Sequence, residues 1–531
     1  MATLVLWFRN DLRLHDNAVL AFALARLRAG TARHVLPVYF LDERDFAPTK
    51  LGFPKTGLLR AKFLLESITD FKNSLKSLGS DLLVAVGRPE TVIPELVATF
   101  AKESKDALVV FQKEVTSEET AIEASVKTAC AGKAALEAVW GATMIHLDDL
   151  PVPVRSIPDG FTAFRAKVEA SAQPRALLPS PSKGQLQLPP RASLGLGAHS
   201  LAFEPAWQHI PYHGAQPEPV TDPRGVLPFK GGEQAALERL NYYVHGKQRL
   251  VADYFNTRNG LLGGDYSTKF APWLALGCLS PRMVYHEIKR FEATTGVENK
   301  STYWVVFEML WRDYFRFFAM KHGNRIFLAG GPMASTTRWS RDRALFRRWA
   351  DGLTGAPFVD ACMRELNATG FMSNRGRQNV ASYLVHDLGL DWRMGAAYFE
   401  SLLLDYDVCS NWGNWVAAAG LTGGRINRFN VYKQAAEYDT NGDFVRAWVP
   451  ELGRIPVPLI YSPHRLSAAQ QQQYQCKMGE QYPLPAAASA EIASTSAAGA
   501  GPQGAAARWS QPRYQRPAKT FAPKSDFERF G

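Results

Sequence analysis

Over the first 150 residues, short apolar runs alternate with stretches in which apolar residues recur every three to four positions. The runs Thr3–Phe8, Val35–Leu41, Asp81–Val86, Ala107–Phe111 and Thr143–His146 are Val/Leu-rich and short, as strands buried on both faces are. Between them lie helical patterns such as Gly57–Leu78, with Leu58, Ala61, Leu64, Leu65, Ile68 and Phe71 on one face. The rhythm is βαβ and predicts a doubly wound parallel sheet, an α/β domain over residues 1–150. From about Gly231 to Leu452 the period stays helical, which predicts an all-α domain over residues 229–465. Helix starts are marked by Ser280-Pro281 and by Pro357 ahead of Phe358, Cys362 and Leu366, and Gly370 closes the second.

The segment between the domains, 151–228, holds 14 of the 33 prolines. Proline cannot donate a backbone hydrogen bond, so long regular elements are not expected and an extended linker is predicted. Past Tyr461 the composition changes again. A Gln tract at Gln470–Gln473 and an Ala/Ser/Gly-rich stretch at Pro485–Ala507 predict a disordered tail over 466–531. Its end is basic, a net +4 from Arg508 onward, with Trp509, Tyr514 and Phe521 interleaved, a pattern suited to stacking on single strands.

Charge and cysteine usage narrow the classes. The formal net charge of +11 favours an anionic partner such as nucleic acid or an anionic membrane surface. Five scattered cysteines without ligand spacing predict reduced thiols and no metal site. No run of 18 apolar residues exists, so no membrane span is expected. A strand-like run begins by Thr3, which leaves no room for a targeting peptide; the expectation is a soluble intracellular protein, its compartment open. Neither GxGxxG nor a P-loop is present, so no phosphate loop is expected in the α/β domain.

The helical half carries the informative wording: Gly370-Phe-Met-Ser-Asn-Arg-Gly-Arg-Gln-Asn379, Asp391-Trp392-Arg393, Asp405-Tyr-Asp-Val-Cys-Ser-Asn-Trp-Gly-Asn-Trp415 and Trp448-Val-Pro-Glu-Leu452. Together with the opening Trp7-Phe-Arg-Asn-Asp-Leu-Arg-Leu-His-Asp-Asn17, these resemble the photolyase/cryptochrome family, in its DASH-type branch. The resemblance spans residues 3–465. It implies an N-terminal antenna domain on the parallel sheet and a C-terminal all-helical FAD-binding domain.

By that resemblance the FAD site takes Tyr254, Ser267, Thr268, Lys269, Phe270 and Arg312 around the phosphates. The residue types agree, since a pyrophosphate needs hydroxyls, backbone donors and cations near a helix start, here Pro272. Ala271 stands where the family often has serine. Asn374, Arg377, Asp405, Asp407 and Asn411 fall around the flavin ring. Arg377 would offset a reduced flavin's negative charge, Asp407 would meet its N–H edge or the ribose, and Asn411 would face N5. Trp415, Trp392 and Trp339 match the electron-transfer triad, with Asn411 and Trp415 on one helical face. Taken without the resemblance, all three are core tryptophans.

The lesion pocket maps to Glu308, Trp311, Asn374, Arg375, Gln378 and Ala417, with Arg375 on backbone phosphate. Gln378 is polar where duplex-repairing relatives are apolar, and Ala417 replaces an aromatic residue. Glu114 matches the carboxylate that holds a 5,10-methenyltetrahydrofolate antenna. The implied activity is blue-light repair of cyclobutane pyrimidine dimers in single-stranded DNA by a monomer, with RNA as a second nucleic-acid candidate. The alternative is a photoreceptor that signals through a protein or nucleic-acid partner.

Overall fold

The computed structural model describes residues 2–101, 107–190, 199–424, 426 and 428–487. Five parallel strands, β1 Ala2–Trp7, β2 Ala32–Leu41, β3 Leu83–Val86, β4 Ala107–Gln112 and β5 Ala134–Val139, form one sheet in the order β3-β2-β1-β4-β5. In register, Leu4 pairs with Val35 on one side and Leu108 on the other. Helices α1 Ala18–Arg28, α2 Leu58–Ser77, α3 Pro89–Ala101 and α4 Ser117–Ala129 connect the strands. Strand side chains alternate between faces, so β1 sends Val5 and Trp7 to one core and Leu4 and Leu6 to another. The first core is closed by Ile93, Leu96, Val97 and Val126. The second runs on without a break into the helical half, so both halves fold around shared apolar contacts.

The predicted strand Thr143–His146 is not one. Its apolar pair is buried at the seam between the halves, where the Met144 and Ile145 N–H groups donate to the Asp313 carboxylate at 3.0 and 2.8 Å. The fifth strand is Ala134–Val139, a sheet edge with most positions partly or fully exposed, which removes the apolar signature of an inner strand. The linker also departs from expectation. Helix α5, Phe161–Ser171, forms between Pro158 and Pro174, because the prolines flank it and none falls inside.

The helical half contains α6 Glu233–His245, α7 Tyr254–Thr257, α8 Ala271–Ala275, α9 Pro281–Thr295, α10 Lys300–His322, α11 Arg343–Ala350, α12 Pro357–Thr369, α13 Asn374–Ser382, α14 Trp392–Leu402, α15 Val408–Ala418, α16 Val431–Tyr438, α17 Asp443–Trp448 and α18 Ala468–Gln473. Ser280 caps α9 by accepting from the Arg282 and Met283 N–H groups. Gly370 ends α12 at φ 67°, a left-handed position glycine adopts without strain. Long α10 packs on α15, α7 and α9, and α15 packs in turn on α14. Gly413 admits the Phe315 ring to the backbone of α15, which draws α10 and α15 together.

The expected tail begins later than its composition suggests. Ser467 caps α18, so the Gln tract is helical. Cys476 and Tyr482 are fully buried, and the Tyr482 hydroxyl donates to Asp360 on α12. Those anchors order a polar segment that has no apolar period of its own. The basic stretch from Arg508 lies outside the described residues, as does most of Pro485–Ala507.

Candidate functional site

Four elements converge on one cavity: α7 with the residue after it, the loop before α8, the middle of α10, and the α12–α13 turn. It is lined by Tyr254, Arg258, Tyr266, Ser267, Glu308, Phe371, Ser373 and Asn374. Residues expected on the cofactor side, Tyr254 and Ser267, thus meet Glu308 and Asn374 from the expected substrate side. Arg258, Tyr266, Phe371 and Ser373 were not singled out from the sequence. Arg258 pairs with Glu308 at 2.8 Å, and burial raises the Glu308 carboxyl against that pull.

The loop 264–269 is held by Arg239 on α6. Its guanidinium donates to the carbonyls of Gly264, Ser267 and Thr268 at 2.8–3.0 Å and to the Asp265 carboxylate at 3.2 Å. A lone arginine in a helical pattern carries no motif, so sequence reasoning passed it by. Lys269 sits at φ 60°, a strained conformation of the kind found at functional loops. Its ammonium donates to Ser267 Oγ at 2.8 Å and lies 3.0 Å from the Tyr266 ring centre. Burial, then Arg239, pushes the Lys269 pKa down to about 6. Phe270 is a core residue whose ring meets Tyr243 edge-on. Arg312 is buried at the seam and donates to the carbonyls of Ala142 and Leu274 at 2.5 and 3.3 Å, so it does not line the cavity.

The Arg377–Asp405 pair forms as expected, at 2.8 Å through Asp405 Oδ2, and Arg377 Nε donates to the Met372 carbonyl. Asp405 Oδ1 is buried without a partner, as are the Tyr266 hydroxyl and Glu365 Oε2. Glu365, on α12, was not foreseen; burial lifts its carboxyl to about 8 although Lys269 and Arg377 pull it down. Asp407 is placed differently from expectation. Its Oδ1 accepts the Ser410 N–H at 2.7 Å, which caps α15, and its Oδ2 holds Arg316 at 3.1 Å. That makes Asp405 the better acceptor for a ligand N–H. Asn411 donates its amide to the Ala396 carbonyl at 3.0 Å, which leaves the amide oxygen as its outward-facing function.

The tryptophans form a connected set. The Trp415 ring lies over Gly395, where a Cβ would overlap it, and Gly395 follows Trp392 by three positions on α14. The Trp392 and Trp339 indole N–H groups donate to the same carbonyl, that of Ala329, at 3.2 and 3.0 Å. Trp392 and Trp415 are buried and Trp339 is half-buried, so the set runs outward. Trp412 joins it, 5.8 Å from Trp392 between ring centres.

The lesion-side residues are less gathered. Trp311 does not line the cavity; its ring stacks on Phe161 of α5 at 3.6 Å between centres, an aromatic contact supplied by the unforeseen linker helix. Arg375 donates to Gln378 and Asn259 at 2.9 and 3.0 Å and lies over the Tyr438 ring, so phosphate would have to compete for it. Gln378 is exposed and Ala417 half-buried. Glu114 is no exposed acid: it is buried just past β4 and pairs with Arg316 at 2.7 Å.

The FAD-binding domain profile of DNA photolyase matches residues 304–498, and the DNA photolyase profile matches residues 4–182. This is the photolyase class of flavoprotein. A cryptochrome DASH of Ostreococcus tauri, designated chloroplastic/mitochondrial, is 49% identical over 87% of this chain and 86% of its own. A cryptochrome DASH of Xenopus laevis is 48% identical over 90% of this chain and 88% of its own. The solved cryptochrome of Synechocystis sp. PCC6803 superposes with TM-score 0.82 at 44% identity, covering 91% of this chain and 96% of that one. The chain belongs to the photolyase/cryptochrome family and, within it, to the DASH cryptochromes. Its helical half is an FAD-binding domain, and among the described residues no helix is long and apolar enough to cross a membrane.

Proposed function

We propose that the protein repairs cyclobutane pyrimidine dimers in single-stranded DNA under blue light. The observation that carries this is the single cavity shared by Tyr254 and Ser267 with Glu308 and Asn374. When bound, FAD supplies light-driven one-electron transfer. The protein groups fit that cofactor. The partnerless Asp405 Oδ1 takes an N–H, Arg377 offsets negative charge, and Ser267 with Lys269 takes the phosphates. Trp415, Trp392 and Trp339 relay electrons to the site from a dissolved reductant such as a thiol, while Glu308 and Asn374 hold a pyrimidine edge. Asp407 and Arg312 act from behind this shell.

Single-strand preference rests on energetics. Flipping a dimer out of a duplex costs a few kcal/mol, and a missing stacking ring forfeits about 1–3 kcal/mol. Ala417 offers no ring, Gln378 is polar, and Trp311 gives a face to Phe161. Five free, buried cysteines suit a reducing intracellular compartment, where we place the protein as a monomer. RNA is a second candidate ligand. The crevice at the carboxyl ends of β1 and β4, where the strand order reverses, is the place for a folate antenna beside Glu114.

The test is a repair assay on dimer-containing single strands and duplexes at equal salt, with and without blue light. Faster light-dependent repair of single strands is expected, and Ala417→Trp should narrow the gap. Equal rates on both would overturn the pocket reading. Flavin photoreduction with repair of neither would favour the photoreceptor.

A further inference from the structure

We infer that Glu114 and Arg316 position α15 from the α/β domain, so that the antenna side of the molecule sets the geometry of Asn411 and Trp415. The inference rests on the FAD reading above. The links are hydrogen bonds and ion pairs among buried and half-buried groups. Glu114 is fixed first through its own backbone, whose N–H donates to Glu123 Oε1 at 3.1 Å. Glu123 is itself held by Arg9 at 2.6 Å, and Arg9 also donates to the Gln112 carbonyl at the end of β4. The Glu114 carboxylate therefore projects from a rigid strand end across the seam. There it meets Arg316 Nη1 at 2.7 Å, and Arg316 Nη2 reaches Asp407 at 3.1 Å. The three side chains are only 3–10% exposed, so solvent screens the chain little.

Asp407 is the cap of α15, and the cap fixes where that helix begins. Asn411 and Trp415 follow on one face, at successive turns. Arg316 adjoins Phe315, the residue inserted at Gly413, so it acts where α10 and α15 are closest. Burial works against the Arg316 charge, but Glu114, Cys409 and Asp407 hold its pKa well above the usual value. The guanidinium is thus a fixed cation shared by an antenna-domain acid and a flavin-domain cap. Glu114 and Arg316 are positioning residues here, since neither touches the reacting atoms in this arrangement.

The experiment uses the full chain loaded with FAD and freed of folate. It compares parent, Glu114→Gln, Arg316→Lys and Arg316→Met by FAD content, melting temperature and the rate of light-driven flavin reduction. Per bound flavin, photoreduction should slow about fivefold in Arg316→Met and in Glu114→Gln, with partial rescue in Arg316→Lys. In a Trp415→Phe background, Glu114→Gln should add nothing. A purely structural seam would lower the melting temperature while leaving the rate per bound flavin unchanged, and that result overturns the inference. If Arg316→Met does not fold, Glu114→Gln and Arg316→Lys decide on their own. A parent protein that binds no FAD would instead overturn the reading beneath it.

Discussion

The two sites of this molecule keep their polar groups in opposite ways. At the seam between the halves, buried charges meet opposite charges or backbone N–H groups: Glu114 with Arg316, Arg316 with Asp407, Asp16 with Arg282 at 2.6 Å, Asp313 with two backbone N–H groups, although Asp11 Oδ2 and the Nε atoms of Arg9 and Arg13 are buried there without a partner. At the helical cavity, the hydroxyl of the lining residue Tyr266 is buried with no partner, as are Asp405 Oδ1 and Glu365 Oε2, which do not line it, and the Lys269 ammonium is held by a hydroxyl and a ring. A buried polar group without a partner costs roughly 1–3 kcal/mol, so several at one place mark a site shaped for something other than its own fold. The charge-matched seam reads as a joint, and the cavity with unmet groups around it as the candidate ligand site.

The largest expected effect breaks the cavity side. Asp405→Ala removes the acceptor and strands Arg377, whose Nε donates to the Met372 carbonyl. Breaking a buried pair costs about 3–5 kcal/mol, so FAD affinity should fall by roughly 100-fold or more. Equilibrium titration of flavin fluorescence measures it, and an unchanged affinity would remove Asp405 from the site. Glu114→Ala, on the seam side, should leave FAD affinity within a factor of about 3, because its carboxylate reaches the flavin helix only through Arg316.

The electron path comes next. Trp415→Phe should slow flavin photoreduction at least about tenfold with FAD still bound, since each 1.4 kcal/mol of barrier is tenfold in rate. Gly395→Ala should act on the same step without changing any tryptophan, by pushing the Trp415 ring off α14; a cost of about 1–3 kcal/mol in stability accompanies overpacking. Transient absorption separates the two. Unaltered kinetics in Gly395→Ala would mean that the Trp415 position against α14 does not matter to transfer.

Much of this could be read from the chain because the motifs of the helical half are contiguous. Asn374 to Gln378 and Asp407 to Trp415 each fall within one helix or its cap, and Asp405 stands two residues before that cap, so local wording already places them together. What escaped depends on distant partners. Arg239, Arg316 and Glu365 sit in ordinary helical patterns and gain meaning only from the loop, acid or lysine facing them across the fold. Ala134–Val139 escaped because an edge strand needs no apolar run, and Thr143–His146 misled because seam burial looks like strand burial in one dimension. Helix α5 and the ordered Gln tract show that composition marks where order is costly, while anchors such as Phe164, Cys476 and Tyr482 decide whether it forms.

The smallest effect on activity comes with a test of whether the unmet groups around the cavity weigh on the fold itself. Glu365 is 1% exposed, and burial raises its pKa from 4.5 to about 8. The folded chain therefore keeps a proton that the unfolded chain has lost, and stability falls as pH rises from about 4.5 to about 8. Lys269 acts in the opposite sense: lowered from 10.5 to about 6, it makes stability rise with pH between those values. Between about 6 and 8 the two slopes oppose each other, and below 6 the Glu365 slope stands alone. Glu365→Gln keeps the shape and removes the titration. Its unfolding free energy, measured by urea titration, should exceed the parent's by about 4 kcal/mol at pH 8, and the difference should shrink toward zero at pH 4.5. A difference that stays constant across that range would mean the carboxyl is ionised in the fold, and that the cavity holds a charge it has already matched.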